Sequence, residues 1–404
     1  MTTFINNGIC APQGFRAAGI HCGIRPNKTK KDIALIVSDV AASAAAVYTQ
    51  NLVKGAPIYV TQKNIKNGTA RAMVCNSGIA NTCNADGIDK AVEMCAITAA
   101  ALGIDTGDII VASTGVIGQP LNIEPIREGM PRLVGELSYE GGASAVEAIM
   151  TTDTVPKECA VELEIGGKTV KIGGIAKGSG MINPNMATML AFITTDADIA
   201  PNVLKTLIKS AADVSFNRVS VDGDTSTNDM LSIMANGMSG AKVAAGTVEY
   251  AAFKEGLNAV CIALAKMLAK DGEGATKLLE CAVSGAPSVE SAAKVADSVI
   301  NSSLVKTAMF GADANWGRIL CAIGYAGVEL DISRIGVIFR SDAGEITLCE
   351  NGAGVAFSEE KALAILKCGE ITVDVRLNQG EQVATAWGCD LSYDYVKING
   401  DYRT

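Results

Sequence analysis

The apolar positions of the first third of the chain fall in short runs separated by turn residues. Ile33–Val37, Ala44–Tyr48, Ile58–Thr61 and Ala72–Cys75 are predicted as strands. Asp86 then stands where a helix N-cap is expected, and Ile88, Val92, Cys95 and Ala99 follow at helical spacing. Asp108–Ala112 forms a buried strand that runs directly into Ser113-Thr114-Gly115-Val116-Ile117-Gly118, and a helix is expected over Ile123–Val134. Cys159–Ile165 and Thr169–Ile175 alternate around Gly166-Gly167, the signal of a hairpin. Met189–Thr194 is a further strand. Two amphipathic helices follow, one through Val203, Leu204, Leu207, Ile208 and Ala211, the other through Leu257, Val260, Cys261, Leu264, Met267 and Leu268. Beyond residue 330 the pattern is mostly strand: Gly336–Phe339, Glu345–Cys349 and Ile371–Leu377, the last turned at Gly380 into a hairpin with Glu381–Trp387. Together these elements predict an α+β fold of layered sheets covered by helices.

Composition narrows the function classes. The 404 residues carry 49% apolar side chains and a net charge of −9. That balance argues against a nucleic-acid binder, which carries a basic stripe. No apolar stretch is long enough to span a bilayer, and the first residues lack the pattern of a signal peptide, so a cytoplasmic location is expected. The twelve cysteines form no CxxC pair and read as small buried hydrophobes. No metal ligand set is seen. Asp222-Gly-Asp-Thr-Ser-Thr-Asn-Asp229 lacks the glycine and glutamate of a calcium loop at the required spacing and reads as a supporting loop. Gly167-Lys-Thr is no phosphate loop, because Glu162 stands where the upstream glycine belongs.

The single histidine, His21, has no motif around it. A serine or cysteine triad would have to use it, so a general base must come from elsewhere. Lys177-Gly-Ser-Gly-Met-Ile-Asn-Pro-Asn-Met-Ala-Thr188 is a glycine-rich loop that gives way to an apolar strand, with Thr188 at the junction. Composition alone leaves Thr188 an ordinary β-branched residue, and leaves Ser113–Gly118 a turn at a strand end.

These two segments, with Ser220–Asp229, Gly311–Arg318 and Tyr395–Thr404, resemble the ornithine acetyltransferase family, the bifunctional acetyltransferases of arginine biosynthesis. The matching segments span the whole chain in the family's order. The resemblance implies a layered αββα architecture similar to N-terminal-nucleophile enzymes. It also implies self-cleavage between Ala187 and Thr188, into an α fragment of residues 1–187 and a β fragment of residues 188–404, paired as α2β2. Thr188 would be the nucleophile, and its freed α-amine, with an ordinary pKa near ~8, the base. Thr114 and Gly115 would hold the oxyanion, by a hydroxyl and a backbone N–H. Lys177, Glu273, Asn399, Thr404 and Thr151 (or Thr152, one residue on) would contact substrate. The implied reaction moves an acetyl group from N-acetylornithine to glutamate and releases ornithine. No cofactor is implied, though acetyl-coenzyme A is a second possible donor. The same chemistry with water as acceptor would make an N-terminal-threonine amidohydrolase or aminopeptidase, and a non-catalytic binding protein is the reading outside enzymes.

Overall fold

The computed structural model describes residues 2–183 and 189–401. Alternation of side chains along the central strands sends two sets of apolar residues to opposite faces. Ala191, Ile193, Leu231 and Ile233 enter one core, with the helices Pro201–Val214 and Val248–Lys270. Ile175, Phe192, Met230 and Met234 enter another, beneath the helix Gly142–Ile149. The fold is α+β.

Among the described residues the strands build one nine-stranded and one seven-stranded mixed sheet, with a separate two-stranded pair of Asp198–Ile199 and Lys242–Val243. From one edge the larger runs Thr3–Ile5, Lys157–Ile165, Lys168–Lys177, Leu190–Thr195, Met230–Ala235, Ile33–Tyr48, Thr69–Ile79 and Ile109–Val116, with Phe15–Ile20 beside the first half of Ile33–Tyr48. The smaller runs Val219–Ser220, Gln382–Cys389, Leu278–Ala286, Glu370–Arg376, Gly336–Ser341, Gly344–Glu350 and Ala353–Gly354. Helix Val248–Lys270 packs against strands of both sheets. It is capped by Thr247, whose side chain accepts the Tyr250 N–H at 3.2 Å. No helix among the described residues is long and apolar enough to cross a membrane.

Lys168–Lys177 and Leu190–Thr195 are antiparallel neighbours, with Lys177 opposite Leu190. Ala187 and Thr188 fall in sequence between these two paired strands. Residues on both sides of position 187 contribute to the same sheet.

Several expectations are corrected. Ile58–Thr61 lies in a helix, Ala56–Asn64. Pro57 in its first turn is pre-organised for helix, and four apolar residues are too few for periodicity to decide. Ile33–Val37 and Ala44–Tyr48 are one strand, Ile33–Tyr48, with a register shift between Val37 and Ala42. The helix after Asp86 buries Ala91, Met94, Cys95, Thr98 and Ala99, and leaves Ile88 and Val92 exposed. The Gly380 turn makes no hairpin: Glu370–Arg376 and Gln382–Cys389 both flank Leu278–Ala286 instead of each other. Gly380 carries the connection over the end of that strand, where a Cβ would run into the Ala286 carbonyl.

Candidate active site

Strands Thr69–Ile79 and Ile109–Val116 run parallel, with Gly78 opposite Gly115. Gly115 has φ +128°, and a Cβ there would collide with the Gly78 backbone. The chain needs glycine at this point to bring the two strand ends so close. Thr114 and Gly115 thereby form one wall of a cavity of about 260 Å³. A Gly115→Ala variant is expected to push these strand ends apart. For the oxyanion role that the family resemblance implies for Gly115, the expected loss of turnover is on the order of 100-fold, the scale of a lost oxyanion donor, which steady-state kinetics would measure.

The same cavity is lined by Thr151, Thr152, Lys177, Glu273 and Asn399. Seven residues singled out from the sequence, drawn from positions 114 to 399, thus meet in one place. Ala187, Thr188 and Thr404 lie outside the described residues. Thr151 and Thr152 both reach the cavity, and the Thr152 hydroxyl is hydrogen-bonded to that of Ser179 at 2.7 Å.

Lys177 is 8% exposed, and its Nζ stands 3.9 Å from the Asp153 carboxylate. Burial, together with the nearby Lys157 and Arg25 cations, holds its ammonium below the usual lysine range, against the opposite pull of Asp153. Asp153 is itself buried, which raises its pKa. The Lys177 and Lys157 cations and the Thr151 N–H outweigh that and bring it well below the usual carboxylate range. Asp153 Oδ1 also accepts the Gly178 N–H at 2.6 Å, so one carboxylate ties the Thr151 turn to the start of the glycine-rich loop.

Glu273 follows the end of helix Val248–Lys270, with its N–H donated to Ser179 O at 2.8 Å. Asn399 Nδ2 donates to Glu273 Oε2 at 2.8 Å. Asn399 belongs to the last helix, Tyr393–Gly400, which is anchored a second time by Tyr395, whose hydroxyl donates to Asp222 at 3.2 Å. Asp222 also accepts the N–H groups of Met181 and Ile182 at 2.6 and 2.8 Å. This holds Met181 at φ +55°, a backbone shape that non-glycine residues seldom adopt.

Sequence reasoning placed the Asp222–Asp229 loop near the site as support. Ser226, Thr227 and Asn228 in fact line the cavity. Asn228 is a stitch between strand ends: its amide donates to Ala80 O at 2.6 Å and Ser113 O at 2.9 Å, and its carbonyl accepts from the Thr82 and Thr227 hydroxyls at 2.6 and 2.5 Å. Lys157 was missed altogether. It is wholly buried between Asp153 at 2.7 Å and Asp271 at 2.5 Å. No local pattern marks it, because its second partner lies 114 residues away. Gly311–Arg318 is not part of the cavity. It starts a helix, Trp316–Gly324, with Asn315 accepting the Arg318 N–H. His21 also stands apart, with Nδ1 3.0 Å from Asp32 Oδ2.

The sequence profile of the ArgJ family matches residues 16–404. The arginine biosynthesis bifunctional protein ArgJ of Symbiobacterium thermophilum is 50% identical, covering 99% of this chain and 100% of its own. That of Caldanaerobacter subterraneus subsp. tengcongensis is 48% identical, covering 97% and 98%. The crystal structure of arginine biosynthesis bifunctional protein ArgJ from Bacillus halodurans is similar at 44% identity and a TM-score of 0.51, covering 53% of this chain and 100% of that one. With the family profile matching residues 16–404 and curated relatives at 48–50% identity over nearly the whole chain, this chain belongs to the ArgJ family, acyltransferases of arginine biosynthesis.

Proposed function

We propose that the chain carries an acetyl group from N-acetylornithine to glutamate by a two-step exchange through Thr188, after cutting itself between Ala187 and Thr188. The observation that carries this is that one small cavity is lined by side chains of opposite charge. Lys177, Glu273, Thr114 and Gly115 all line it. Both substrates are α-amino acids. The α-carboxylate that both substrates carry can pair with Lys177, and the side-chain amine of N-acetylornithine with Glu273, so one pocket serves donor and acceptor in turn.

In the first step the Thr188 hydroxyl attacks the acetyl carbonyl while the Thr188 α-amine takes its proton. Thr114 and the Gly115 N–H stabilise the oxyanion. The C–N bond breaks, and ornithine leaves with the proton returned to its amine. Glutamate then attacks the ester, and the acetyl group passes to its nitrogen. The Bacillus halodurans chain, matched over its full length, spans 53% of this one. A cut before Thr188 would leave a second piece of about that share, which supports the cleavage reading. The layered αββα, N-terminal-nucleophile-like order and the α2β2 pairing belong to the same reading, as do a cytoplasmic location, the absence of a cofactor, and acetyl-coenzyme A as a second donor.

The test is to supply N-acetylornithine with and without glutamate. N-acetylglutamate should form in step with ornithine when glutamate is present, with little acetate in its absence. Free acetate at an equal rate in both would point to the amidohydrolase reading. Intact mass should show two chains.

A further inference from the structure

Strand Ile109–Val116 forms one edge of the larger sheet, so among the described residues it has a strand neighbour, Thr69–Ile79, on one side only. At its end Gly115 faces Gly78, and neither residue has a side chain to lock against the other. An edge strand that ends on such a contact needs further bonds to fix where Thr114 and Gly115 stand.

Those bonds converge on Asn228, which is 8% exposed. Its amide donates to Ser113 O at 2.9 Å and to Ala80 O at 2.6 Å, and its Oδ1 accepts the hydroxyls of Thr82 at 2.6 Å and Thr227 at 2.5 Å. Both N–H bonds of the side chain and both lone pairs are used. Its partners in turn hold the strand end. The Ala80 N–H donates to Val116 O at 2.9 Å, and Thr82 O accepts the Gly118 N–H at 3.0 Å. Asn228 is thus bonded to Ser113 directly, to Val116 through Ala80 and to Gly118 through Thr82. Thr114 and Gly115 lie inside that span.

We propose that Asn228 is a positioning residue for acetyl transfer, which, given the oxyanion role proposed above for Thr114 and Gly115, sets where those two donors stand.

The residue type fits the task. Two carbonyl oxygens need donors and two hydroxyls need an acceptor, and a short planar amide meets both demands at once. Aspartate has the same shape, but when ionised it donates nothing and would set a charge against two carbonyl oxygens. The loop that carries Asn228 is itself tied down. Thr227 O accepts the Gly55 N–H at 2.9 Å, Ser226 O the Thr49 hydroxyl at 2.9 Å, and Ser226 Oγ the Asn228 N–H at 3.2 Å. Gly55 leaves the amide its space, since a Cβ there would stand 2.6 Å from Asn228 Nδ2. The charged groups of the cavity belong to other networks: Lys177 stands with Asp153, and Glu273 with Asn399. Loss of the Asn228 amide therefore reaches the Thr114–Gly115 segment and spares the groups proposed to bind substrate.

Steady-state kinetics of acetyl transfer from N-acetylornithine to glutamate test this, in the natural enzyme, Asn228→Ala, Thr114→Ala and the double variant. Asn228→Ala should lower kcat by about 100-fold, the scale of a reacting group misplaced by about 1 Å, while KM for N-acetylornithine stays within about 3-fold. In the Thr114→Ala background the same change should cost clearly less, because residues that act through one another are not additive. Losses that multiply in full overturn the proposal, as does an unchanged kcat or a rise in KM alone. Thr114→Ala with a normal kcat removes the oxyanion reading, and the positioning role with it. Should Asn228→Ala fail to fold, Thr82→Val decides. It takes one hydroxyl from Asn228 Oδ1, keeps the shape of the side chain and should lower kcat by about 5-fold, the scale of one hydrogen bond. An unchanged kcat in Thr82→Val overturns the proposal.

Discussion

A Thr188→Ala chain is expected to remain a single 404-residue polypeptide and to lose acetyl transfer by on the order of 10⁴-fold or more. The size of this effect follows from how much is asked of one residue. In the proposed mechanism the hydroxyl makes the bond to the acetyl group, and the α-amine that removes its proton exists only if that same hydroxyl has first cut the chain. Alanine removes the first function and, by preventing the cut, the second. The lone histidine stands with Asp32, away from the cavity. Thr188→Ser keeps a hydroxyl and should still cut and still transfer, more slowly. Gel bands and coupled assay of N-acetylglutamate read both outcomes. A Thr188→Ala protein that is processed and active would remove the nucleophile from the mechanism.

Lys157→Met should cost about 3–5 kcal/mol of stability, the scale of a buried ion pair that loses one partner. Lys157 bridges Asp153 and Asp271 with its side chain fully enclosed. Methionine fills the space of the stem but leaves two carboxylates out of water, with Lys177 at 3.9 Å as the remaining cation against Asp153. Asp271 also receives the Thr154 N–H at 3.0 Å, and Asp153 those of Thr151 and Gly178, so the damage reaches the cavity wall and KM should rise as well. The pH dependence has a definite sign. Asp153 has its pKa lowered in the folded protein, so its stabilisation is present above its unfolded pKa, near ~4, and is lost as pH falls through the folded value. Part of that lowering comes from Lys157. The gap between the natural protein and Lys157→Met should therefore be widest near neutral pH and narrow in acid. Denaturant midpoints across pH measure it, and a variant as stable as the natural protein at neutral pH would show that the bridge is not needed.

Long periodic stretches were legible in the sequence. The hairpin Lys157–Ile165 and Lys168–Lys177 and the helix Val248–Lys270 appear where alternation and helical spacing place them. Shorter apolar runs were not, as Ile58–Thr61 shows. Leu278–Ala286 and the helices between Val289 and Gly324 went unassigned, although they build the second sheet and its cover.

By itself the sequence determined the kind of chemistry. One histidine, a threonine after a glycine-rich loop, and glycine at the strand end beside Thr114 are facts of residue type, and family motifs carry them. Tertiary structure alone decided which residues share a cavity and which charges face each other. It brought Asn399 against Glu273 and closed Lys157 between carboxylates far apart in the chain. It also set Leu278–Ala286 between two strands that follow one another in sequence. The physical reason is range. Side-chain periodicity and turn preference act over a few residues, whereas ion pairing in a buried site and the choice of strand neighbour depend on contacts that exist only once the chain has folded.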